Sequence, residues 1–184
     1  MMYDNNLLNK RVAFLSLGCK VNSYETEAIK QQFKSYGALV CEFNEKCDIY
    51  VVNTCTVTNM ADRKSRQMLR RAKNLNPQSI LIATGCYVQG SRDKICEDDV
   101  VDIIIGNRLK SKIAYYANEY IAKNSNETLV VINDELSDYE SMSALSEYHR
   151  TRVDIKIQDG CNQFCSYCVI PYARGRVRSR RAED

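Results

Sequence analysis

The sequence is poor in several residue types that commonly carry chemistry. It has one histidine, His149, and no tryptophan. A zinc site built from several histidines is therefore excluded, and a Ser-His-Asp triad would have to use His149. No apolar run approaches the roughly 18–20 residues that cross a bilayer, and the N-terminus lacks the pattern of a signal peptide. These absences predict a cytoplasmic protein with no membrane partner.

Net charge is also small. At pH 7 the formal net charge is +3, so charge alone gives no argument for a nucleic-acid partner. Arginines are nevertheless concentrated near the end of the sequence, at Arg174, Arg176, Arg178, Arg180 and Arg181. Phosphate contacts would explain this run, and solvated or internally paired arginines would explain it equally well.

Cysteine, by contrast, is abundant, with nine residues among 184. An odd number of cysteines in a reducing cytoplasm argues against a disulfide framework. Binding of a metal or an iron–sulfur cluster is the better first hypothesis.

The first two-thirds of the chain alternates strand-like and helix-like segments. Short apolar, β-branched segments predict buried strands, and amphipathic segments between them predict helices. The second helix should end before Pro77, because the residue before a proline is disfavoured in a helix. Asn22 and Glu25 have the spacing of a capping pair at the start of the first helix. We predict strands at 11–17, 48–53, 79–84, 101–105 and 128–132, and helices that begin near Asn22, Ala61 and Leu109.

This alternation predicts an α/β domain of flavodoxin-like or Rossmann-like type over residues 8–132. Its sheet should be mostly parallel, with helices on both faces. The acidic, serine-rich residues 133–150 are predicted to be a linker. Residues 152–158 alternate apolar and polar side chains and predict a new strand, but residues 151–184 are too few to bury their own core. We therefore expect a truncated second domain, and a segment after residue 150 that is poorly anchored on its own chain.

The loop DGCNQFCSYC carries the strongest chemical signal. Cys161, Cys165 and Cys168 are separated by three and then two residues, and short spacings of this kind let thiolates converge on one iron–sulfur cluster. Three thiolates on a four-iron cluster leave one iron open to a substrate or cosubstrate, as in a catalytic zinc site. A zinc site, or cysteines that bind nothing, is the alternative.

Three further cysteines each follow a predicted strand: Cys19, Cys55 and Cys86. Because the carboxyl ends of parallel strands share one edge of a sheet, these thiols are expected to meet in space. The alternative is that each is a small apolar residue at a strand end. The cysteines without this placement are predicted to be structural, and they are Cys41, Cys47 and Cys96.

The two cysteine groups together resemble a known enzyme family. SLGCKVNSYE, NTCTVTNMADRKSRQMLRRA, TGCYVQ and IQDGCNQFCSYCVIPYARGRVRSR are similar to segments of the radical S-adenosylmethionine methylthiotransferases. The likeness is greatest to the branch that modifies threonylcarbamoyladenosine beside the tRNA anticodon. Other branches modify isopentenyl-adenosine in tRNA or an aspartate of a ribosomal protein. The similar segments correspond to the N-terminal domain of that family and to the first strand and cluster loop of its radical barrel.

The resemblance implies an enzyme with two [4Fe-4S] clusters. Cys19, Cys55 and Cys86 would hold an auxiliary cluster. Cys161, Cys165 and Cys168 would hold the radical-generating cluster, whose open iron binds S-adenosyl-L-methionine. The implied reaction inserts a methylthio group at carbon 2 of the modified adenine of tRNA and needs an external electron donor. No residue is assigned a catalytic role, and as a truncated part the chain is expected to be inactive alone.

The competing hypothesis is a non-enzymatic α/β module that holds an iron–sulfur cluster or zinc for electron transfer or partner binding. Asn22 and Asn53 flank the auxiliary cysteines and either hydrogen-bond cluster sulfurs or serve as a helix cap and a turn residue. A group of basic residues is predicted to form the solvated face of the second helix, namely Arg63, Lys64, Arg66, Arg70 and Arg71.

Overall fold

The fold is built on a six-stranded parallel sheet. A computed structural model describes residues 5–96, 99–124, 127–133, 138–143 and 154–183. Every neighbouring pair of strands is parallel, in the order β2-β1-β3-β4-β5-β6, which extends the order of flavodoxin-like folds by one strand. The predicted α/β fold is confirmed. The strands are β1 (Arg11–Ser16), β2 (Leu39–Cys41), β3 (Ile49–Thr54), β4 (Ile80–Gly85), β5 (Ile103–Ile105) and β6 (Leu129–Val131).

Helices cover both faces of this sheet. Successive strand residues alternate between two apolar cores, so that Val51 packs on one face and Val52 on the other, as the two-residue period of a strand requires. None of the helices within the described ranges is long and apolar enough to cross a membrane. The helices of this domain are α1 (Lys20–Ser35), α2 (Asn59–Leu75), α3 (Cys86–Gly90), α4 (Arg92–Cys96) and α5 (Ile113–Lys123), the last preceded by a 3₁₀ turn at Lys110–Lys112.

Each core joins particular helices to the sheet. Ile29 and Phe33 of α1 and Ala117 of α5 pack on one face. Leu69 of α2 and Tyr87 of α3 pack on the other. Burial of these apolar side chains is the main stabilising contribution, at about 1.5–3 kcal/mol for each large side chain.

Several elements differ from the predictions: α3 and α4 were not predicted, β5 is shorter, and α1 and β2 differ as follows. Helix α1 begins at Lys20, with Cys19 as its N-cap residue, rather than near Asn22. Strand β2 was not predicted, because it has only three residues and its side chains are exposed or half-buried at the sheet edge. As predicted, α2 ends at Leu75, before Pro77.

Residues 154–183 form a small unit that packs on this domain. Strands β7 (Gln158–Asp159) and β8 (Arg178–Ser179) pair antiparallel, and helix α6 (Ile170–Arg174) lies between them in sequence and packs on α3. The predicted strand over 152–158 is wrong for residues 154–157, which have no strand pairing, while 152 and 153 lie outside the described residues.

The apolar and polar positions of this stretch are also inverted. Ile155 and Ile157 are 68% and 67% exposed, whereas Lys156 is buried. The side chain that enters the protein is therefore the charged one, because it meets carboxylates there.

The prediction that this segment is poorly anchored is wrong. Lys156, Asp159 and Arg174 are buried and form ion pairs that centre on Glu25 of α1. Glu25 is therefore not a capping residue but the centre of a buried charge network. Removing one partner of a buried ion pair costs about 3–5 kcal/mol, so these pairs hold the segment on α1.

The described part of the predicted linker is also docked. The Tyr24 hydroxyl donates to the Met142 carbonyl at 2.7 Å, and the Ser111 amide and hydroxyl both donate to Glu140. The rest of the predicted linker, including His149, lies outside the described residues.

Candidate functional site

Three predicted site cysteines lie at the carboxyl edge of the sheet. Cys19 follows β1 by three residues, and Cys55 and Cys86 follow β3 and β4 directly. Strands β1 and β3 are neighbours, but their following helices, α1 and α2, lie on opposite faces. This is the topological switch point, where open α/β sheets bind their ligands.

The Cys55 thiol interacts electrostatically with both of the other site thiols. Cys55 and Cys86 are buried, whereas Cys19 is exposed. Burial raises the pKa of the Cys55 thiol, and the Val57 backbone N–H lowers it. The Cys86 and Cys19 thiols raise the pKa further, and the Arg174 guanidinium lowers it. Cys55 therefore lies within electrostatic reach of the other two cysteines.

Two glycines allow the strand ends to come together. Gly18 has φ +96°, and a Cβ there would lie 2.5 Å from Cys55 Sγ. Gly85 has φ +104°, and a Cβ there would lie 2.3 Å from the Thr54 carbonyl oxygen. Both positions require a residue without a side chain, and each directly precedes a site cysteine, Cys19 or Cys86.

Side chains from α1 and α2 hold the cysteine loops. Ser65 Oγ accepts from the Cys55 amide at 3.2 Å and donates to the Cys55 carbonyl at 3.0 Å. Asn22 Nδ2 donates to the Leu17 carbonyl at 2.7 Å and to the Thr54 carbonyl at 3.0 Å. These bonds fix the backbone just before Cys19 and around Cys55.

Neither asparagine has the role of helix cap or turn residue. Asn53 Nδ2 donates to the Asn22 carbonyl at 3.0 Å and to Thr26 Oγ1 at 3.2 Å. Asn22 is the residue that ties the ends of β1 and β3 to α1, and Asn53 supports it.

A row of unsatisfied polar atoms crosses the same edge. Ser16 Oγ, Asn53 Oδ1 and Thr84 Oγ1 are buried without a hydrogen-bond partner among the residues described. The three residues are direct neighbours in the sheet register. A buried polar atom left unpaired costs about 1–3 kcal/mol, so this edge is suited to a polar guest rather than to a closed apolar core.

The second cysteine group lies on the small unit. Cys165 is exposed, and Cys161 and Cys168 are half-buried. The Cys168 amide donates to the Cys165 carbonyl at 2.9 Å, and the Cys161 amide donates to the Gly175 carbonyl at 3.0 Å. The first bond makes a turn between two cysteines, and the second ties Cys161 to the residue that follows α6.

Helix α6 joins the two cysteine groups. It begins two residues after Cys168 and packs on α3, whose first residue is Cys86. Asn107 Nδ2 donates to the Ala173 carbonyl at 2.7 Å and lies 3.9 Å from Cys86 Sγ. The segment that follows the loop cysteines thus packs beside Cys86 at the sheet edge.

The spacing of the thiols does not match a single-ion site. Across the described ranges, no three histidine, cysteine or carboxylate side chains converge closely enough to hold one metal ion. The all-thiol donor set and the unsatisfied polar edge are compatible with an iron–sulfur cluster.

The remaining cysteines lie elsewhere. Cys47 is buried, and burial together with the nearby Cys41 thiol raises the pKa of Cys47 to about 11. Cys41 is half-buried at the end of β2, where it accepts from Arg11 Nε at 3.2 Å. Cys96 is exposed at the end of α4.

Most of the described arginine run is paired within the chain. Arg174 is in the buried network, the Arg176 guanidinium lies 5.1 Å from the Phe164 ring centroid, and Arg178 pairs with Asp159 at 3.5 Å. Internal ion pairs account for the charge of Arg174 and Arg178, whereas Arg176 stacks on a ring and is exposed.

The basic side of α2 is mostly solvated, as expected. Its side chains Arg63, Lys64, Arg70 and Arg71 are exposed. The exception is Arg66, which is half-buried and donates to the Tyr87 hydroxyl at 3.3 Å.

Sequence reasoning missed several residues of the site. Glu25 lies on the same helical face as Ala28 and Ile29, and a charged residue on an apolar face is a signal that was available. Its partners could not be inferred, because they come from distant parts of the chain. The other missed residues are Ser65, Asn107, Lys110, Lys156, Asp159 and the structural role of Arg174.

Known proteins resemble the chain over nearly its whole length. It is 45% identical over 173 residues to the threonylcarbamoyladenosine tRNA methylthiotransferase MtaB of Bacillus subtilis. The matched residues cover 94% of this chain and 38% of that protein. It is 39% identical to the MtaB of Aquifex aeolicus over 92% of this chain and 41% of that protein.

A second type of relative is also similar. The tRNA-2-methylthio-N(6)-dimethylallyladenosine synthase of Clostridium perfringens is 30% identical, over 100% of this chain and 42% of that protein. The chain thus spans about two fifths of the length of these relatives. The family model described as "Uncharacterized protein family UPF0004" matches residues 11–106, more than half of the sequence. The chain therefore belongs to the UPF0004 protein family.

Proposed function

We propose that the chain carries both cluster sites of a tRNA methylthiotransferase that modifies threonylcarbamoyladenosine. The observation that carries this proposal is the placement of three strand-end cysteines at the switch-point edge of the sheet, beside a helix that follows a second three-cysteine loop. The names of the relatives supply the substrate, and those with the highest identities quoted above are named for threonylcarbamoyladenosine.

The chain divides into three parts in this proposal. Residues 8–132 are the auxiliary-cluster domain, 133–150 the connection, and 151–184 the beginning of the radical domain. Cys19, Cys55 and Cys86 hold one [4Fe-4S] cluster, and Cys161, Cys165 and Cys168 hold the other. Each set has three thiolates, so each cluster keeps one iron without a protein ligand.

When bound, these groups supply reductive cleavage of S-adenosylmethionine at the loop and a sulfur atom for insertion at the sheet edge. The residues of the chain position the ligands for that chemistry. Ser65 fixes the backbone at Cys55, Gly18 leaves room for the Cys55 thiol, and Asn107 lies beside the Cys86 thiol. N–H groups that point at sulfur favour the thiolate form and tune the reduction potential of a cluster.

The two cysteine groups differ in exposure. At the sheet edge Cys55 and Cys86 are buried and Cys19 is exposed, whereas on the loop Cys161 and Cys168 are half-buried and Cys165 is exposed. The docking of α6 on α3 holds the loop on the auxiliary side of the molecule. Placing two reacting groups beside one pocket replaces an encounter in solution with a fixed approach.

The experiment is nucleoside analysis of tRNA from a host that lacks the modification, after expression of the complete gene that encodes this sequence. We expect the methylthio derivative of threonylcarbamoyladenosine. Cys86→Ser and Cys165→Ser should abolish it, and the matched control Cys96→Ser should not.

Two other outcomes would contradict the proposal. A methylthio product on isopentenyl-adenosine instead would place the protein in the other tRNA branch. No methylthio product on any nucleoside, from protein loaded with iron, would leave the non-enzymatic electron-transfer module as the better explanation.

A further inference from the structure

The Arg174 side chain links the two cysteine groups through buried hydrogen bonds. Its guanidinium is 5% exposed. Nη2 donates to Asn22 Oδ1 at 2.6 Å, and Nη1 donates to Glu25 Oε1 and to Asp159 Oδ1, both at 2.9 Å. One planar side chain therefore binds α1 and the small unit at the same time.

Each of these partners is next to a cysteine loop. Asn22 also holds the Leu17 and Thr54 carbonyls, just before Cys19 and Cys55. Asp159 Oδ1 accepts from the Gly160 amide at 2.9 Å, directly before Cys161. A displacement of the guanidinium would therefore alter the hydrogen bonds that hold the backbone beside both cysteine groups.

The main chain next to Arg174 takes part as well. The Gly175 carbonyl accepts from the Cys161 amide, and the Ala173 carbonyl accepts from Asn107, which lies beside Cys86. Gly175 thus binds Cys161 directly, and Ala173 is connected to Cys86 through Asn107.

The buried network around Arg174 also carries an excess of positive charge. Among the described residues the network comprises two carboxylates and four cations, namely Glu25, Asp159, Lys110, Lys156, Arg174 and, through Asp159, Arg178. Burial lowers the pKa of Arg174, but Glu25, the Cys86 thiol and Asp159 raise it above its ordinary value. The guanidinium is charged, and it lies beside the sheet-edge site, because Nη2 binds Asn22 and Asn22 in turn holds the Thr54 carbonyl next to Cys55.

Lysine could not replace this arginine. Arginine presents its donors in a rigid planar fork, whereas lysine offers one compact ammonium group. An ammonium at this position would supply the charge but could not bind Asn22, Glu25 and Asp159 together in the same geometry.

We propose that Arg174 is a positioning residue that fixes the loop of Cys161, Cys165 and Cys168 against the sheet-edge cysteines and supplies positive charge to the sheet-edge site. The electrostatic part rests on the proposed function, because it concerns the auxiliary cluster. The positioning part concerns contacts within the chain and is independent of iron.

The electrostatic part is tested in a Cys165→Ser background, which removes the loop cluster and leaves the auxiliary one. The chain is reconstituted anaerobically with iron and sulfide, and the midpoint potential of the cluster is measured by spectroscopic titration. Arg174→Gln should lower that potential, because lost positive charge disfavours the added electron. Arg174→Lys should keep the midpoint potential close to the unsubstituted value, because it keeps the charge. The exposed control Arg181→Gln should leave the potential unchanged.

The positioning part is tested by amide hydrogen exchange in the chain without iron. Arg174→Gln and Arg174→Lys should both speed exchange at the Cys161 amide, because either substitution breaks the fork. The same amide in Arg181→Gln should exchange at the unsubstituted rate. If Arg174→Gln does not fold, as judged by circular dichroism, Arg174→Lys carries this test.

The outcomes separate the two proposals. An unsubstituted chain that takes up no iron would overturn the proposed function and the electrostatic part together, while hydrogen exchange would still decide the positioning part. A loaded chain whose potential and exchange rates are the same with Arg174→Gln as with Arg181→Gln would overturn the inference and leave the proposed function intact.

Discussion

Substituting Glu25 with glutamine should destabilise the protein severely. Gln has the same shape as Glu but no charge, so the change isolates the carboxylate. The Glu25 side chain is 1% exposed and pairs with Lys110, Lys156 and Arg174. After the substitution, Asp159 is the carboxylate left among the described members of the network to balance three buried cations, and it also pairs with Arg178.

The size of the effect follows from the burial of these charges. Removing one partner of a buried ion pair costs about 3–5 kcal/mol, because the other charge is left uncompensated. Total stabilities are about 5–15 kcal/mol, so the loss is a large fraction of the whole. For a chain of this size, 1 kcal/mol corresponds to about 2–4 °C in Tm. We therefore expect Tm to fall by about 6–20 °C.

The assay is urea unfolding followed by circular dichroism, together with a thermal melt. Glu27→Gln is the matched control on the same helix, since Glu27 pairs with Lys30 where both side chains are partly exposed. Exposed pairs are worth about 0–1 kcal/mol. A free energy of unfolding for Glu25→Gln within 1 kcal/mol of the Glu27→Gln value would refute the reasoning that this network anchors the small unit.

Three further predictions concern pH, backbone geometry and thiol reactivity. Burial alone would raise the pKa of Glu25, but Lys110 and its other cationic partners lower it well below its usual range. The stabilisation from Glu25 is therefore complete above its unfolded pKa of about 4.3 and is lost as the pH falls towards its folded pKa. In a pH series of urea melts, the free energy of unfolding should decline below about pH 4 and should decline less in Glu25→Gln. Gly85→Ala should cost more than about 2 kcal/mol in urea melts, because a non-glycine residue in this backbone conformation costs about 1–3 kcal/mol and the new Cβ meets a carbonyl. Gly90→Ala, where the nearest atom is 3.8 Å from the new Cβ, should change stability little. Timed alkylation of the iron-free chain, followed by mass spectrometry, should label Cys165 early and Cys47 last. Cys47 should react last because it is buried and its pKa is raised to about 11. Early labelling of Cys47 in folded protein would count against its burial.

The sheet could be predicted from the sequence because its signals are local. The apolar segments of β3 and β4 are fully or almost fully buried, so hydrophobicity alone located them. The carboxyl ends of β1, β3 and β4 then follow from parallel pairing, and with them the positions of Cys19, Cys55 and Cys86. The short edge strand β2 escaped prediction because its side chains are exposed or half-buried.

The contacts between the two parts of the chain could not be predicted. Glu25 and Arg174 are 149 residues apart, and nothing in the sequence near either residue names its partner. The pattern around Glu25 matched a capping pair, but tertiary ion pairs override that local preference. The segment around Lys156 resembled a strand with apolar side chains turned inward, whereas pairing with Glu25 and Asp159 buries the lysine and leaves the isoleucines outside.

The most direct test of the account is metal analysis after anaerobic reconstitution of the chain. Two four-iron clusters predict about eight irons and eight sulfides per chain. Cys86→Ser and Cys165→Ser should each reduce the iron to about half, because they belong to different clusters, and Cys96→Ser should leave it unchanged. One tightly bound zinc without iron, or an iron content that Cys86→Ser does not alter, would contradict the claim that the sheet-edge cysteines and the loop cysteines hold separate iron–sulfur clusters.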